Sequence, residues 1–140
     1  MPNWCMNELK ISGDKEDLLK VKSFLKNEEE ETELSFCNII PYPENNSGGY
    51  EWCVSNWGTK WGACECSVSV EEGRLNYFFD TAWTPMGDVL LRKLSELFPN
   101  LTFYLFFSEP GVGFEGEREY ENGECLEDNM WDYDDDEECE

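Results

Sequence analysis

Alternation between apolar and polar residues predicts most of the strands in this chain, because successive side chains of a strand point to opposite faces. In the segment 4–12, Leu9 and Ile11 fall on one face and Lys10 falls on the other. The same alternation, or a short run of aromatic residues bounded by turn residues, recurs later in the chain. The five predicted strands are 4–12, 64–70, 74–80, 101–107 and 114–121.

Two helices are predicted between these strands. Over 14–27 the apolar residues recur at helical spacing, namely Leu18, Val21, Phe24 and Leu25. Acids lie in the first turn and lysines come later, as the helix dipole favours. The second helix is predicted to begin at Thr84-Pro85, with Thr84 as the N-cap, and to end before Pro99. Its predicted buried stripe is Leu90, Leu94 and Leu97.

The order of these elements indicates the fold class. It is β-α-β-β-α-β followed by one more strand, which is typical of an α+β ferredoxin-like split βαβ sandwich with an added C-terminal strand. Both helices would then cover one face of the sheet. The connection 28–63 is too long for a plain loop, and we interpret it as an insertion in which 50–56 forms one or two helical turns stopped by Gly58.

Composition narrows the classes of function. The 140 residues include 32 acids and 10 bases, for a net charge of -22, so the clustered bases that bind phosphates are lacking and direct nucleic-acid binding is not expected. Histidine is absent, which excludes catalysis by imidazole. No pair of carboxylates stands out for acid–base chemistry, and no Ser or Cys has a histidine partner. We therefore expect neither an enzyme nor a bound cofactor.

The seven cysteines bear on metal binding and on compartment. Their number is odd, and the closest pair is Cys64-x-Cys66 rather than the C-x2-C spacing of zinc sites. Free thiols that pack in a core, without a metal, are the expectation. No apolar run approaches the roughly 18 residues of a membrane span, and the N-terminus lacks the pattern of a signal peptide. These features together predict a cytoplasmic protein.

Five motifs stand in a familiar order along the chain. They are MPNWCMNELKISG at 1–13, FCNIIPYP at 36–43, NWGTKWGA at 56–63, DTAWTP at 80–85 and FPNLTFYLFFSEPGVGFEGE at 98–117. Together they resemble phage and plasmid proteins that carry a YubB-type ferredoxin-like domain. The resemblance covers 1–123 and implies the ferredoxin-like fold, an origin in a mobile element and a setting in the bacterial cytoplasm. It implies no enzyme activity, and the segment after Gly123 lies outside it.

Indoles and one cation are concentrated in NWGTKW and TAW, namely Trp57, Lys60, Trp61 and Trp83. Such a group can stack a base and hold a phosphate, which would make the protein a small-ligand or nucleotide-binding protein. Alternatively the indoles are core residues, and Lys60 lays its stem across a ring. The sequence leaves both interpretations open.

The layout of the acids suggests a different function. The strand 114–121 places one set of carboxylates on a single face: Glu115, Glu117, Glu119 and Glu121. We divide the chain into a folded domain, 1–123, and an acidic tail, 124–140, which contains too few apolar residues to fold alone and is expected to be mobile. The tail residues proposed to extend the acidic face, with Trp131 as an anchor, are Asp134, Asp135, Asp136, Glu137 and Glu138.

These acids lead to the main functional hypothesis. The chain would be a non-enzymatic protein of a mobile element that binds a basic, nucleic-acid-handling defence protein of the host and blocks its cationic groove. CRISPR effectors and restriction enzymes have such grooves. The alternative for the tail alone is that it only improves solubility. No membrane partner is expected, and the oligomeric state is left open.

Overall fold

Six strands and four helices make up the part of the chain that the computed structural model describes, which is residues 4–29, 32–40, 49–59, 64–82, 84–111 and 113–132. The strands are β1 (Trp4–Ser12), β2 (Cys64–Glu71), β3 (Arg74–Ala82), β4 (Thr102–Glu109), β5 (Phe114–Glu121) and β6 (Glu124–Asp132). The helices are α1 (Lys15–Leu25), α2 (Phe36–Ile39), α3 (Gly49–Asn56) and α4 (Asp88–Leu97). No helix among these is long and apolar enough to cross a membrane.

All six strands belong to one antiparallel sheet in the order β2-β3-β1-β4-β5-β6. The first four strands of that order are those of a split βαβ sandwich, with β1 at the centre between β3 and β4. β5 and β6 extend the sheet beyond β4 as a hairpin. The predicted α+β ferredoxin-like fold is confirmed, and the sheet has one strand more than the sequence predicted.

The hydrophobic core lies between the helices and one face of the sheet. Leu9 and Ile11 of β1 are fully buried there, as their alternation with polar residues predicts. The helices contribute Leu18, Val21 and Leu25 from α1 and Leu90, Leu91 and Leu94 from α4. Leu97, predicted in this stripe, is instead 43% exposed, because it is the last residue of α4.

The start of α4 corrects a second prediction. The helix begins at Asp88 with Gly87 as the N-cap, and not at Thr84-Pro85. Thr84 does not cap the helix, because its hydroxyl donates a hydrogen bond to the carbonyl oxygen of Gly58, at 2.6 Å. Tertiary hydrogen bonds therefore hold the chain before α4 in a non-helical path.

The structure places the strand β6 in a segment that the sequence analysis assigned to a mobile tail. Asn122 and Gly123 have φ values of 49° and 80°, as the two-residue hairpin turn of type I′ requires, and the chain after them pairs with β5. Backbone pairing with an existing strand requires little apolar burial, which is why composition alone led to the wrong assignment for Glu124–Asp132. Residues 133–140, including Asp134, Asp135, Asp136, Glu137 and Glu138, lie outside the described part of the chain.

Candidate functional site

The sheet has a second face, against which none of the described helices packs. Alternate residues of each strand point to it, and on β1 these include Met6, which is 51% exposed, between buried neighbours. We call this surface the open face. Its members include Met6, Glu8, Lys10, Phe78, Asp80, Tyr104, Phe106, Glu115, Glu117, Glu119, Glu121, Glu127, Asn129 and Trp131.

All four predicted glutamates of β5 belong to the open face. Each glutamate lies directly opposite a residue of the antiparallel strand β4, from Ser108 opposite Glu115 to Thr102 opposite Glu121. The residues between the glutamates point to the core side, where Tyr120 is buried. β5 lies between β4 and β6, so this row of carboxylates is inside the sheet rather than at its edge.

Trp131, predicted as an anchor for a partner, is part of the same face. It lies opposite Glu115 in the β5–β6 register, and its indole N–H donates a hydrogen bond to Oε1 of Glu115 at 3.0 Å. The side chain is half-buried. The structure therefore gives Trp131 a role within the protein, which is to fix the end of β6 against β5.

Acids outnumber bases on the open face. The two bases that the registers place there are each close to a carboxylate: Lys10 to Glu8, at 3.9 Å, and Arg74 to Glu71, at 3.1 Å. On the opposite side of the molecule, α1 carries both acids and lysines. In the described part of the protein, the open face therefore carries a clear excess of acids over bases.

Tyr104 lies in the middle of this charge. Burial raises the pKa of its phenol above the ordinary value, and the carboxylates of Glu117, Glu119 and Glu8 raise it further. Neighbouring carboxylates disfavour a second negative charge, so the phenol stays protonated to higher pH. The shift is consistent with a negative potential across β1, β4 and β5.

The proposed ligand group of indoles is only partly described. Trp57 is 6% exposed, and its indole N–H donates to the carbonyl oxygen of Ile40 at 2.9 Å. Its ring makes edge-to-face contacts with Phe36 and Trp52. These contacts are those of a core residue. The other three residues of the group, Lys60, Trp61 and Trp83, lie outside the described residues.

The motifs NWGTKW and DTAWTP meet in space, which sequence reasoning did not predict. The backbone N–H of Gly87 donates to the carbonyl oxygen of Trp57 at 3.0 Å, next to the bond from Thr84 to Gly58. A Cβ placed on Gly58 would lie 2.5 Å from Cα of Gly87. The two chain segments can approach this closely only because both residues are glycines.

Two observations concern metal ligands and thiols among the described residues. These residues contain no group of three or more His, Cys, Asp or Glu side chains arranged to hold a metal ion. Burial raises the pKa of the Cys5 thiol and of the Cys66 thiol to about 12 each, so both remain protonated at neutral pH.

Comparison with known proteins identifies the family. Residues 56–140 match the family model described as the ferredoxin-like domain in Api92-like protein, which is more than half of the chain. The chain belongs to this family. The match with the Api92-like model includes β6 and the residues after it, so the segment beyond Gly123 is not outside the family domain as the sequence resemblance suggested.

A solved structure supports the same fold for this Api92-like chain. The crystal structure of a protein Api92 from Yersinia pseudotuberculosis matches it with a TM-score of 0.76, covering 94% of this chain and 98% of that one. The two sequences are 10% identical, so the likeness concerns the fold alone. A search of curated proteins found no match.

Proposed function

We propose that this Api92-like chain is a non-enzymatic binding protein that docks a basic surface of another protein on its open face. The observation that supports this most directly is the row Glu115, Glu117, Glu119 and Glu121 on a sheet surface with few bases. The proposed partner is a nucleic-acid-handling defence protein of a bacterial host, such as a CRISPR effector or a restriction enzyme, because cations line its groove. Occupying that groove would inhibit it.

The proposed origin fits this function. The sequence resembles YubB-type proteins of phages and plasmids, and a mobile element benefits from a protein that blocks host defences. Attraction by a net charge of -22 would speed encounter with a cationic partner in the host cytoplasm, where we place the protein.

The spacing of the carboxylates determines how closely the open face matches the charge density of a nucleic acid. Same-face residues on β5 are about 6.6–6.8 Å apart along the strand, and the neighbouring row on β6 is about 4.8 Å away. Duplex DNA carries one charge per roughly 1.7 Å of its axis, which is denser than β5 alone. β6 adds carboxylates such as Glu127, directly opposite Glu119. The open face therefore resembles DNA in the sign of its charge, and it remains less densely charged than a duplex.

The like-charge pair Glu119–Glu127 also bears on function. Like charges directly opposite each other on paired strands destabilise a sheet. Glu121 and Glu124 form a second such pair at the hairpin end. Charge of one sign is thus accumulated on the open face at the expense of folding stability, which is the pattern expected where charge serves recognition.

A matched pair of variants tests the open face. Glu117→Gln/Glu119→Gln and the control Glu16→Gln/Glu96→Gln each remove two negative charges, the first from the open face and the second from exposed helical positions. We expect the first variant to retain nucleic-acid-binding proteins from a bacterial lysate about three- to tenfold less than wild type at low salt, with the control near wild type. Quantitative mass spectrometry of the captured proteins measures this.

Equal capture by the two double variants would contradict the proposal, since net charge rather than position would then control binding. High salt is expected to abolish the difference between them, because it screens charges on an exposed surface. A purified captured enzyme should then lose DNA cleavage when the wild-type chain is added, and lose less with the open-face variant.

A truncation tests the residues proposed to extend the face. A chain that stops after Asp132 keeps β6 and lacks Asp134, Asp135, Asp136, Glu137 and Glu138. We expect its urea midpoint to match that of the full chain, and its affinity for the captured enzyme to fall about three- to tenfold at low salt. An unchanged affinity would mean that these residues do not take part in binding and serve only solubility.

A further inference from the structure

We propose that the open face recognises arginine side chains of its partner, by seating guanidinium groups on the rings of Phe78 and Phe106 beside the carboxylates of Glu8 and Glu117. This inference rests on the proposed function, because it assumes that a basic partner docks on the open face. It adds the chemical group that is recognised and the side chains that select it.

Rings and carboxylates alternate in one row across four strands. Glu8 of β1 lies opposite Phe78 of β3 on one side and opposite Phe106 of β4 on the other, and Glu117 of β5 follows Phe106. At about 4.8 Å between strands, the row extends over about 14 Å. A planar cation on either ring would therefore have a carboxylate within reach of its N–H groups.

Phe78 is the more accessible ring of this row, and Phe106 is half-buried. Phe78 is 44% exposed, whereas Tyr77 and Phe79, its neighbours on the core side, are buried. Phenylalanine is among the residues that folding usually buries. Met6, on the adjacent strand of the same face, is also more than half exposed. An accessible apolar surface surrounded by charge is typical of an interaction site.

The adjacent row shows how this face holds a cation. The ammonium nitrogen of Lys10 lies 5.9 Å from the ring centroid of Tyr104 and 3.9 Å from a carboxylate oxygen of Glu8. Its position combines a ring with a carboxylate, as proposed for the neighbouring row. Among contacts between described residues, no basic side chain lies over Phe78 or Phe106. That row provides the ring and the carboxylate, and the partner would provide the cation.

The chemistry favours arginine over lysine in these positions. A guanidinium group is planar and weakly hydrated, so it can stack on a ring while its N–H groups donate to a carboxylate. An ammonium group is compact and strongly hydrated, and gains less from the ring. Bases of a nucleic acid could also stack on exposed rings, but its phosphates would be repelled by Glu8, Glu117 and Glu119. Arginine residues of a protein are the occupants that fit both the rings and the charge.

Labelled octa-arginine and octa-lysine peptides test the inference on the full chain, with fluorescence anisotropy as the measurement. Wild type is expected to bind octa-arginine more tightly than octa-lysine. In Phe78→Leu/Phe106→Leu the affinity for octa-arginine should fall about two- to fivefold for each ring removed, with little change for octa-lysine. Phe78→Tyr/Phe106→Tyr is the matched control, because it keeps both rings and should keep the preference.

The outcomes separate this inference from the proposed function. If Glu117→Gln/Glu119→Gln weakens both peptides but the leucine variant keeps the preference for arginine, the rings do not select arginine and the inference is overturned, while the acidic face stands. If neither peptide responds to the loss of these glutamates, the proposed function fails as well. The single variant Phe78→Leu, at an exposed position, provides the same test should the double variant not fold by circular dichroism.

Discussion

Gly58→Ala is expected to lower the free energy of unfolding by about 2–5 kcal/mol. Two costs add at this residue. Its φ of +77° is in the left-handed region, which costs an L residue about 1–2 kcal/mol. The new methyl group would also lie 2.5 Å from Cα of Gly87, where only backbone can yield, and such overpacking costs about 1–3 kcal/mol. Urea denaturation followed by tryptophan fluorescence measures the change.

Gly73→Ala separates the two costs. Gly73 has nearly the same φ, +75°, but an added Cβ would meet no atom within 4 Å. Its replacement should therefore cost only the conformational part, about 1–2 kcal/mol. Equal destabilisation of the two variants would mean that the close approach of Gly58 and Gly87 adds nothing to the cost of the Gly58 substitution.

This contact illustrates what the sequence did and did not predict. Gly58 is conspicuous in NWGTKW, and local reasoning assigned it to the end of a helix, where α3 indeed stops at Asn56. Its second role, to admit the backbone of Gly87, depends on a residue 29 positions later. Nothing local indicates such a contact, so Thr84 was assigned to a helix cap instead of to its bond with Gly58.

Strands whose signals are local were predicted well. β1 and β5 have the predicted bounds, because both alternate cleanly and both are followed by turn residues with positive φ, Gly13 and Asn122. β6 was missed because its high charge resembles that of a disordered segment. The Asn122-Gly123 pair was the available signal, since this dipeptide favours a hairpin between two segments that can pair.

Of the candidate site, the sequence predicted the carboxylates and not the aromatic rings. The glutamates of β5 alternate with other residues, so the sequence alone placed them on one face. Phe78 and Phe106 occur in the runs LNYFFD and LTFYLFF, in which aromatic residues fall on both faces of the strand. Periodicity cannot separate core from surface in such runs. The pairing of both residues with Glu8, which follows from the sheet register, was needed to find the row of rings and carboxylates.

Asn7→Asp is the second substitution expected to have a large effect. Asn7 is 4% exposed, and its side-chain N–H groups donate to the carbonyl oxygen of Cys5 at 3.0 Å and to Oγ1 of Thr81 at 2.9 Å. Its oxygen accepts the backbone N–H of Met86 at 3.0 Å, which ties β1 to the segment before α4. The hydroxyl of Thr81 donates to the carbonyl oxygen of Thr84, so it has no hydrogen to offer a carboxylate.

The introduced carboxylate would therefore be buried and would face two acceptors. We expect Asn7→Asp to lower the free energy of unfolding by about 3–5 kcal/mol at pH 7, the range for an uncompensated buried charge. The same change at Asn100, an exposed residue, is the control and should cost less than about 0.5 kcal/mol. Urea denaturation of both variants and wild type gives the comparison.

The effect of Asn7→Asp should depend on pH in one direction. Burial disfavours the charged form, so the pKa of the introduced carboxyl is raised in the folded state above its unfolded value of about 3.9. Below that pH the group is protonated in both states, and the difference from wild type is smallest. As the pH rises through the folded pKa, the stability of the variant relative to wild type falls, and then it levels off. A difference from wild type that stays constant between pH 4 and pH 8 would mean that the carboxylate is solvated, and that position 7 is not buried.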